Sequence, residues 1–221
     1  MNKLIKAVIP VRSGSQRVKN KNFRKFNEKN LLIYKIEKLK KVKGLKEIIV
    51  NTDSKEAIEI AKKHGVNFWK RDQYYASSKC LNSEFWQHIA ETTDSDHIMF
   101  TNCTSPLVKI ESYNLIIDRY NNLENTYDSL NTVCDEKQFL YLNNKAINFD
   151  PRVTPNSQDL PEILKLNFAV NLIAKDLMFK KKSVIGDNPF LYKLDETQGL
   201  DIDTNFDFQF AEFLHNKLFN H

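Results

Sequence analysis

Residues 4–11, Leu-Ile-Lys-Ala-Val-Ile-Pro-Val, form an almost continuous apolar run of strand length, and a polar, aperiodic stretch rich in cations follows directly. Such a run reads as a parallel strand buried on both faces, which needs covering layers on two sides. Pro10 limits how far it can extend. The rest of the chain supplies the cover in alternation. From Leu31 to Lys43 the apolar residues Leu32, Ile36, Leu39 and Val42 recur at helical spacing, with Gly44 as the stop. Glu47–Asn51 reads as a second strand, and Asp53-Ser54 cap a helix over 55–64 that ends at Gly65. Val66–Trp69 and Asp96–Thr101 are strand-like, Ser83–Thr92 and Ile110–Leu123 helical, and Phe206–Leu218 closes the chain as an amphipathic helix. This alternation predicts an α/β fold, a three-layer, mostly parallel, Rossmann-like sheet in one domain over residues 1–221.

Residues 135–165 break the rhythm. The segment alternates like a hairpin with Asn143-Asn144 at the turn, and a stretch punctuated by Pro151, Pro155 and Pro161 follows, so it reads as an inserted arm. The main fold resumes at Asn167–Ala174.

The chain of 221 residues is long enough for a core without disulfide or metal staples. Its three cysteines, Cys80, Cys103 and Cys134, form no C-x-x-C pair, which excludes a four-thiolate zinc site and points to core thiols in a reducing cytoplasm. The five histidines, His64, His88, His97, His215 and His221, show no metal spacing. No apolar run approaches a membrane span, so a membrane partner is not expected.

The net charge of +5 conceals an asymmetry: residues 1–46 hold 15 Lys and Arg against Glu28 and Glu37, a local +13, and residues 47–221 carry −8. Lys3 and Lys6 interrupt the apolar start and no A-x-A pattern follows, so the basic segment reads as part of the fold rather than as a leader. It could grip nucleic acid, an anionic surface or a polyphosphate. Its densest part, Arg12-Ser-Gly-Ser-Gln-Arg-Val-Lys-Asn-Lys-Asn22, stands immediately after the first strand, and ligands of open α/β folds lie beyond the carboxyl ends of the strands. Backbone N–H groups around Gly14, beside Arg12, Arg17, Lys19 and Lys21, suit a triphosphate. The loop matches neither G-x-x-x-x-G-K-[ST] nor G-x-G-x-x-G. A solvated basic loop has the same composition; the position after a buried strand favours the phosphate site. An RNA-binding role is disfavoured, because few aromatics interleave with these cations.

The residues Ile9-Pro-Val-Arg-Ser-Gly-Ser-Gln-Arg-Val-Lys-Asn-Lys-Asn-Phe-Arg24 resemble the signature of the acylneuraminate cytidylyltransferases, the CMP-sialic acid synthetase-like nucleotidyltransferases. Four further stretches resemble family motifs in order: Val50-Asn-Thr-Asp-Ser54, Thr104-Ser-Pro-Leu107, Gln158-Asp-Leu-Pro161 and Asp201-Ile-Asp-Thr-x-x-Asp-Phe208 running into Ala211-Glu212. The resemblance implies transfer of CMP from CTP to an acidic sugar, with release of pyrophosphate, for surface-polysaccharide or flagellin glycosylation. It implies nucleotide contacts from Arg12, Ser13, Gly14, Ser15, Arg17, Lys21, Asn22, Arg71, Asn82 and Ser83. It further implies that Arg12 and Lys21 act as catalytic cations and that Asp201 and Asp203 are the catalytic carboxylates that hold Mg2+. Two carboxylates completed by phosphate oxygens and water suit that ion. Asp201 and Asp203 are two apart, so an extended strand points both the same way; Asp203-Thr204 could instead cap the last helix. On the acceptor side the resemblance implies Asn102, Thr104, Gln158, Lys165 and Asn167. The 135–165 arm resembles a dimerisation segment, so a homodimer is expected.

The acceptor side departs from the pattern. Asn102 replaces a glutamine and Cys103 a proline, Ser157 and Lys165 stand where arginines are usual, and an N-G-A stretch reads Asn167-Phe-Ala169. Lysine cannot replace the forked carboxylate recognition of arginine. The expected acceptor is therefore a nonulosonate other than N-acetylneuraminate, such as a pseudaminic or legionaminic acid, or else an acid bearing phosphate or phosphonate.

Overall fold

A computed structural model describes residues 3–15 and 17–219; His221 lies outside the described residues. The elements in chain order are β1 (Ile5–Val11), β2 (Lys25–Phe26), β3 (Lys29–Asn30), α1 (Leu31–Leu39), β4 (Leu45–Thr52), α2 (Lys55–Lys63), β5 (Asn67–Lys70), α3 (Gln73–Ala76), α4 (Asn82–Thr92) and β6 (His97–Phe100). They continue with α5 (Ile110–Asn121), β7 (Ser129–Asp135), β8 (Tyr141–Leu142), β9 (Lys145–Ala146), β10 (Leu164–Ala174), α6 (Lys175–Lys181), β11 (Pro189–Lys193) and α7 (Asn205–Phe219). A seven-stranded sheet runs in the order β11-β7-β10-β6-β1-β4-β5. Only β10 is antiparallel to its neighbours, β6 and β7.

The apolar run of β1 does what its pattern requires. Ile5, Ala7, Ile9 and Val11 face a core shared with α1, α2, α5 and α7, while Val8 faces a smaller core shared with α4 and α6. The sheet is thus the middle of three layers. The caps follow the chemistry of their residues: Asn30 Oδ1 accepts from Ile33 N at 2.9 Å at the start of α1, and Ser54 Oγ accepts from Ala57 N at the start of α2. The first helix is shorter than its periodicity suggests. It stops at Leu39, and tight turns from Lys41 N to Lys38 O and Val42 N to Leu39 O carry the chain to Gly44, whose φ of +83° suits a residue without Cβ.

The arm contains the hairpin β8–β9, with Asn143 and Asn144 both at positive φ in its turn, and two short 3-10 turns. Six elements had no clear signal in the sequence: the two-residue strands β2 and β3, which fall in the stretch read as loop, the short helix α3, and β7, α6 and β11. Strand β7 is buried along six of its seven residues, although Asn131 and Thr132 lie at its centre. Asn131 Nδ2 donates to Asn171 Oδ1 and to Val184 O, both at 2.9 Å, and Thr132 Oγ1 donates to Asn167 Oδ1 at 2.6 Å, so this polar interior is paired. No helix among the described residues is long and apolar enough to cross a membrane.

Candidate active site

The strands β1, β4, β5 and β6 end along one edge of the sheet, and a cavity of about 600 Å³ opens there. Residues far apart in sequence line it: Arg12, Ser15, Arg17, Lys21 and Asn22 from the loop after β1, Arg71 after β5, Asn82 from α4, Asn102 and Thr104 after β6, and Asp201 and Asp203 before α7.

The loop after β1 is shaped by two features. Gly14 adopts φ +76°, and Ser13 is fastened to the end of β4, its N–H donating to Asp53 Oδ1 at 2.9 Å and its hydroxyl to the other carboxylate oxygen. Further along, the loop is joined to the C-terminal part of the chain at four successive points. Arg17 Nη2 donates to Asp203 Oδ1 at 2.7 Å, Lys21 Nζ to the Ile202 carbonyl, Arg24 Nη1 to Asn205 Oδ1 at 3.0 Å and Asn27 N to Glu212 Oε1 at 2.7 Å. This ladder brings the basic first segment of the chain against its late carboxylates.

The Asp201–Asp203 segment is not a strand; it reaches the cavity as extended, unpaired chain fixed by Ile202 N donating to Thr104 O at 2.9 Å. Both carboxylates nonetheless line the same space. Burial pushes the Asp201 carboxyl above its usual range, against a hydrogen bond from Thr104, and its Oδ1 is buried without a hydrogen-bond partner. Burial likewise draws the Lys21 ammonium below its usual range, opposed by Asp201 and Asp203. Thr204, not Asp203, caps the last helix: Asp207 N donates to Thr204 Oγ1 and Asp207 Oδ2 accepts from Thr204 N at 2.7 Å. Asp203 is therefore free of capping duty.

No group of three metal-ligating side chains occurs among the described residues. Magnesium needs only one or two carboxylates when phosphate oxygens and water complete its shell, and the orphaned Asp201 Oδ1 is a donor that a cation would satisfy. Asp201 and Asp203 fit that group.

Arg71 is 4% exposed and held by backbone carbonyls. Its Nη2 donates to Val11 O at 2.9 Å and to Asn51 O at 2.6 Å, tying the ends of β1 and β4, while its guanidinium lies 4.4 Å from the Phe85 ring centroid. Burial brings its pKa down to about 10. The arginine thus builds the floor of the cavity as well as lining it.

Of the residues singled out from sequence, Ser13, Gly14, Ser83, Gln158, Lys165 and Asn167 do not line the cavity. Gln158 is exposed in the arm, and Lys165 is turned to Glu136 Oε2 at 3.0 Å. Asn167 is buried, its Oδ1 accepting from Thr132 Oγ1 and from Ala169 N. Cys103 and Cys134 are buried as expected of core thiols, and burial pushes Cys103 up to about 12, so it is no nucleophile. Cys80 is a correction: it is half-buried and lines the cavity. Tyr75, Phe85, Trp86 and Phe100 also line the cavity and carry no motif of their own in the sequence; they join Phe168, which stands in the departing Asn167-Phe-Ala169 stretch.

The family model for cytidylyltransferases matches residues 6–159, a span that includes the basic loop, Arg71 and Asn102–Thr104. Post-translational flagellin modification protein B of Campylobacter coli is 29% identical over 229 residues, covering 95% of this chain and 94% of that protein. CMP-N,N'-diacetyllegionaminic acid synthase of Campylobacter jejuni is 29% identical over 232 residues, covering 95% of this chain and 94% of that protein. Among solved structures, CMP:2-keto-3-deoxy-manno-octonic acid synthetase complexed with CTP shares the fold with a TM-score of 0.72 at 13% identity, covering 97% of this chain and 99% of that one. A mostly parallel sheet with a cationic loop at its carboxyl edge, and a family match over most of the sequence, lead to one conclusion: the chain belongs to the cytidylyltransferase family.

Proposed function

We propose that the enzyme transfers CMP from CTP to the anomeric hydroxyl of an acidic, nonulosonate-type sugar, releasing pyrophosphate, in the modification of flagellin or another surface glycan. The observation that carries this reading is the meeting of Arg12, Arg17 and Lys21 with Asp201 and Asp203 around one cavity. The names of the flagellin-modification and legionaminic acid relatives support the acceptor class.

Phosphoryl and nucleotidyl transfer ask a protein for positioning and charge stabilisation more than for covalent chemistry. Arg12 and Lys21 would orient the triphosphate, and the backbone at Gly14-Ser15 allows close approach. The acceptor hydroxyl gives up its proton to solvent and its oxygen bonds to the α-phosphorus as the bond to the departing pyrophosphate breaks, and Arg17 and Lys21 offset the charge that accumulates on the leaving group. Magnesium held by Asp201 and Asp203 would neutralise phosphate oxygens.

An acceptor bearing its own phosphate is less well served, because the lining contributed by α4 and β10 contains no cation and Lys165 is engaged by Glu136. The exposed Tyr141, Leu142, Ile147 and Val153 give the arm an apolar surface suited to pairing with a second copy. A dimer in sedimentation at micromolar concentration supports that pairing, and a monomer contradicts it. The functional reading is tested by incubating the protein with each NTP, magnesium and a panel of acids while measuring pyrophosphate. Release with CTP and a nonulosonic acid is expected; no release with any pair overturns the reading, and a diphosphate-linked product assigns a phosphorylated acceptor instead.

A further inference from the structure

Phe168 has a φ of +53°, a left-handed conformation that a bulky side chain adopts only when its surroundings impose it. The pairing of β10 with β7 slips between Leu166 and Asn171, so Phe168 sits on a bulge. Side chains fix that bulge from every direction. Asn167 Oδ1 accepts from Ala169 N at 3.1 Å, Asn171 Nδ2 donates to Phe168 O at 3.2 Å, Thr101 Oγ1 donates to Ala169 O at 2.7 Å and Val170 N donates to Thr132 Oγ1 at 3.0 Å. Four buried polar residues, Asn167, Asn171, Thr101 and Thr132, therefore hold one strained backbone position.

What the bulge presents is an aromatic ring at the cavity. Phe168 stacks on Trp86 of α4 with centroids 6.2 Å apart and planes at 24°, and both rings are part-buried and line the cavity together with Phe85 and Phe100. Phe168 belongs to β10, which pairs with β6, the strand that leads into Asn102 and Thr104, while β6 separates it from β1 and the cationic loop; on the functional reading above, this is the acceptor's end of the cavity. None of the cavity's cations comes from β10 or α4. Aromatic faces receive apolar C–H surface and leave hydroxyl groups unpaired.

The geometry points to Phe168 and Trp86 as specificity-determining residues that receive an apolar substituent, an acyl or methyl group, of the acceptor sugar. The enzyme therefore favours an N-acylated, deoxygenated acid over a fully hydroxylated one. This rests on the acceptor class proposed above.

The test measures pyrophosphate release with CTP and two acceptors, an N-acylated deoxy nonulosonic acid and a fully hydroxylated 3-deoxy-octulosonic acid. The parent should prefer the first. Phe168→Gly removes the ring while suiting the backbone, so the thermal midpoint should hold or rise, KM for the acylated acid should increase about tenfold and KM for CTP should not move. Trp86→Leu should lower the same selectivity. Release by the parent with selectivity unchanged in both variants, a parent that prefers the hydroxylated acid, or a rise in KM for CTP overturns the inference alone. No release by the parent with any acid overturns the functional reading and this inference with it.

Discussion

Arg17 Nη2 lies 2.7 Å from Asp203 Oδ1, joining two residues 186 positions apart, and Lys21 Nζ approaches the same oxygen at 3.8 Å. The Arg17 and Asp203 side chains are 69% and 43% exposed, so the pair adds under about 1 kcal/mol to stability. The pair fixes the Asp203 carboxylate against the cationic loop, and the proposed transfer needs it there. Asp203→Asn is expected to lower kcat for pyrophosphate release by about two orders of magnitude while shifting the thermal midpoint by no more than about 2 °C. Parallel activity and melting measurements check this, and a large loss of stability with unchanged kcat would assign Asp203 a purely structural role.

Lys35 is buried, 2% exposed, and its Nζ donates to three neutral oxygens: Tyr113 Oη at 2.6 Å, Ser105 O at 3.1 Å and Thr101 Oγ1 at 3.2 Å. It anchors both ends of the segment that carries Asn102–Thr104. Lys35→Met leaves those oxygens short of a donor and is expected to cost about 2 kcal/mol in denaturant unfolding, with a rise in acceptor KM. An unchanged midpoint would mean that the surroundings repack without it.

Arg71→Lys keeps a charge but cannot span Val11 O and Asn51 O, the two carbonyls that the guanidinium joins. A loss of about 1–3 kcal/mol and a weaker affinity for CTP are expected, read by unfolding and by nucleotide titration. If affinity alone changes, the contact to the strand ends is not what matters.

His215 is buried between Tyr34, Phe26 and Phe219, and its Nδ1 accepts from Asn27 Nδ2 at 3.1 Å. Burial holds its pKa down at about 4, with the nearby Lys38 adding to the shift. Between pH 6.5 and 4 the unfolded chain binds the proton that the folded one refuses, so stability rises with pH across that window and is lost on acidification. The loss amounts to about 3 kcal/mol. His215→Phe should flatten the dependence of the midpoint on pH over this range, and an equally steep profile would exclude His215 as its source.

The framework and the cationic half of the site were legible in the sequence for a physical reason: buried parallel strands and capped helices write themselves as apolar runs and capping residues. The run at Leu4–Val11, the cap at Ser54 and the turn at Asn143-Asn144 all appear where their chemistry requires. Strand β7 did not, because its burial is achieved with paired Asn131 and Thr132, which read as loop residues. The aromatic wall was half legible. Phenylalanine between Asn167 and Ala169 was visible as a departure from the glycine pattern, but its left-handed backbone depends on partners as distant as Thr101 and Thr132.

The four links from Arg17, Lys21, Arg24 and Asn27 to the chain between Ile202 and Glu212 make the cationic loop a dependent of α7 and the segment that leads into it. A loop tethered in this way inherits the order of its tether. Fraying, fusion or shortening of the C-terminal helix should therefore register first as poorer nucleotide affinity, at temperatures where the sheet is still intact.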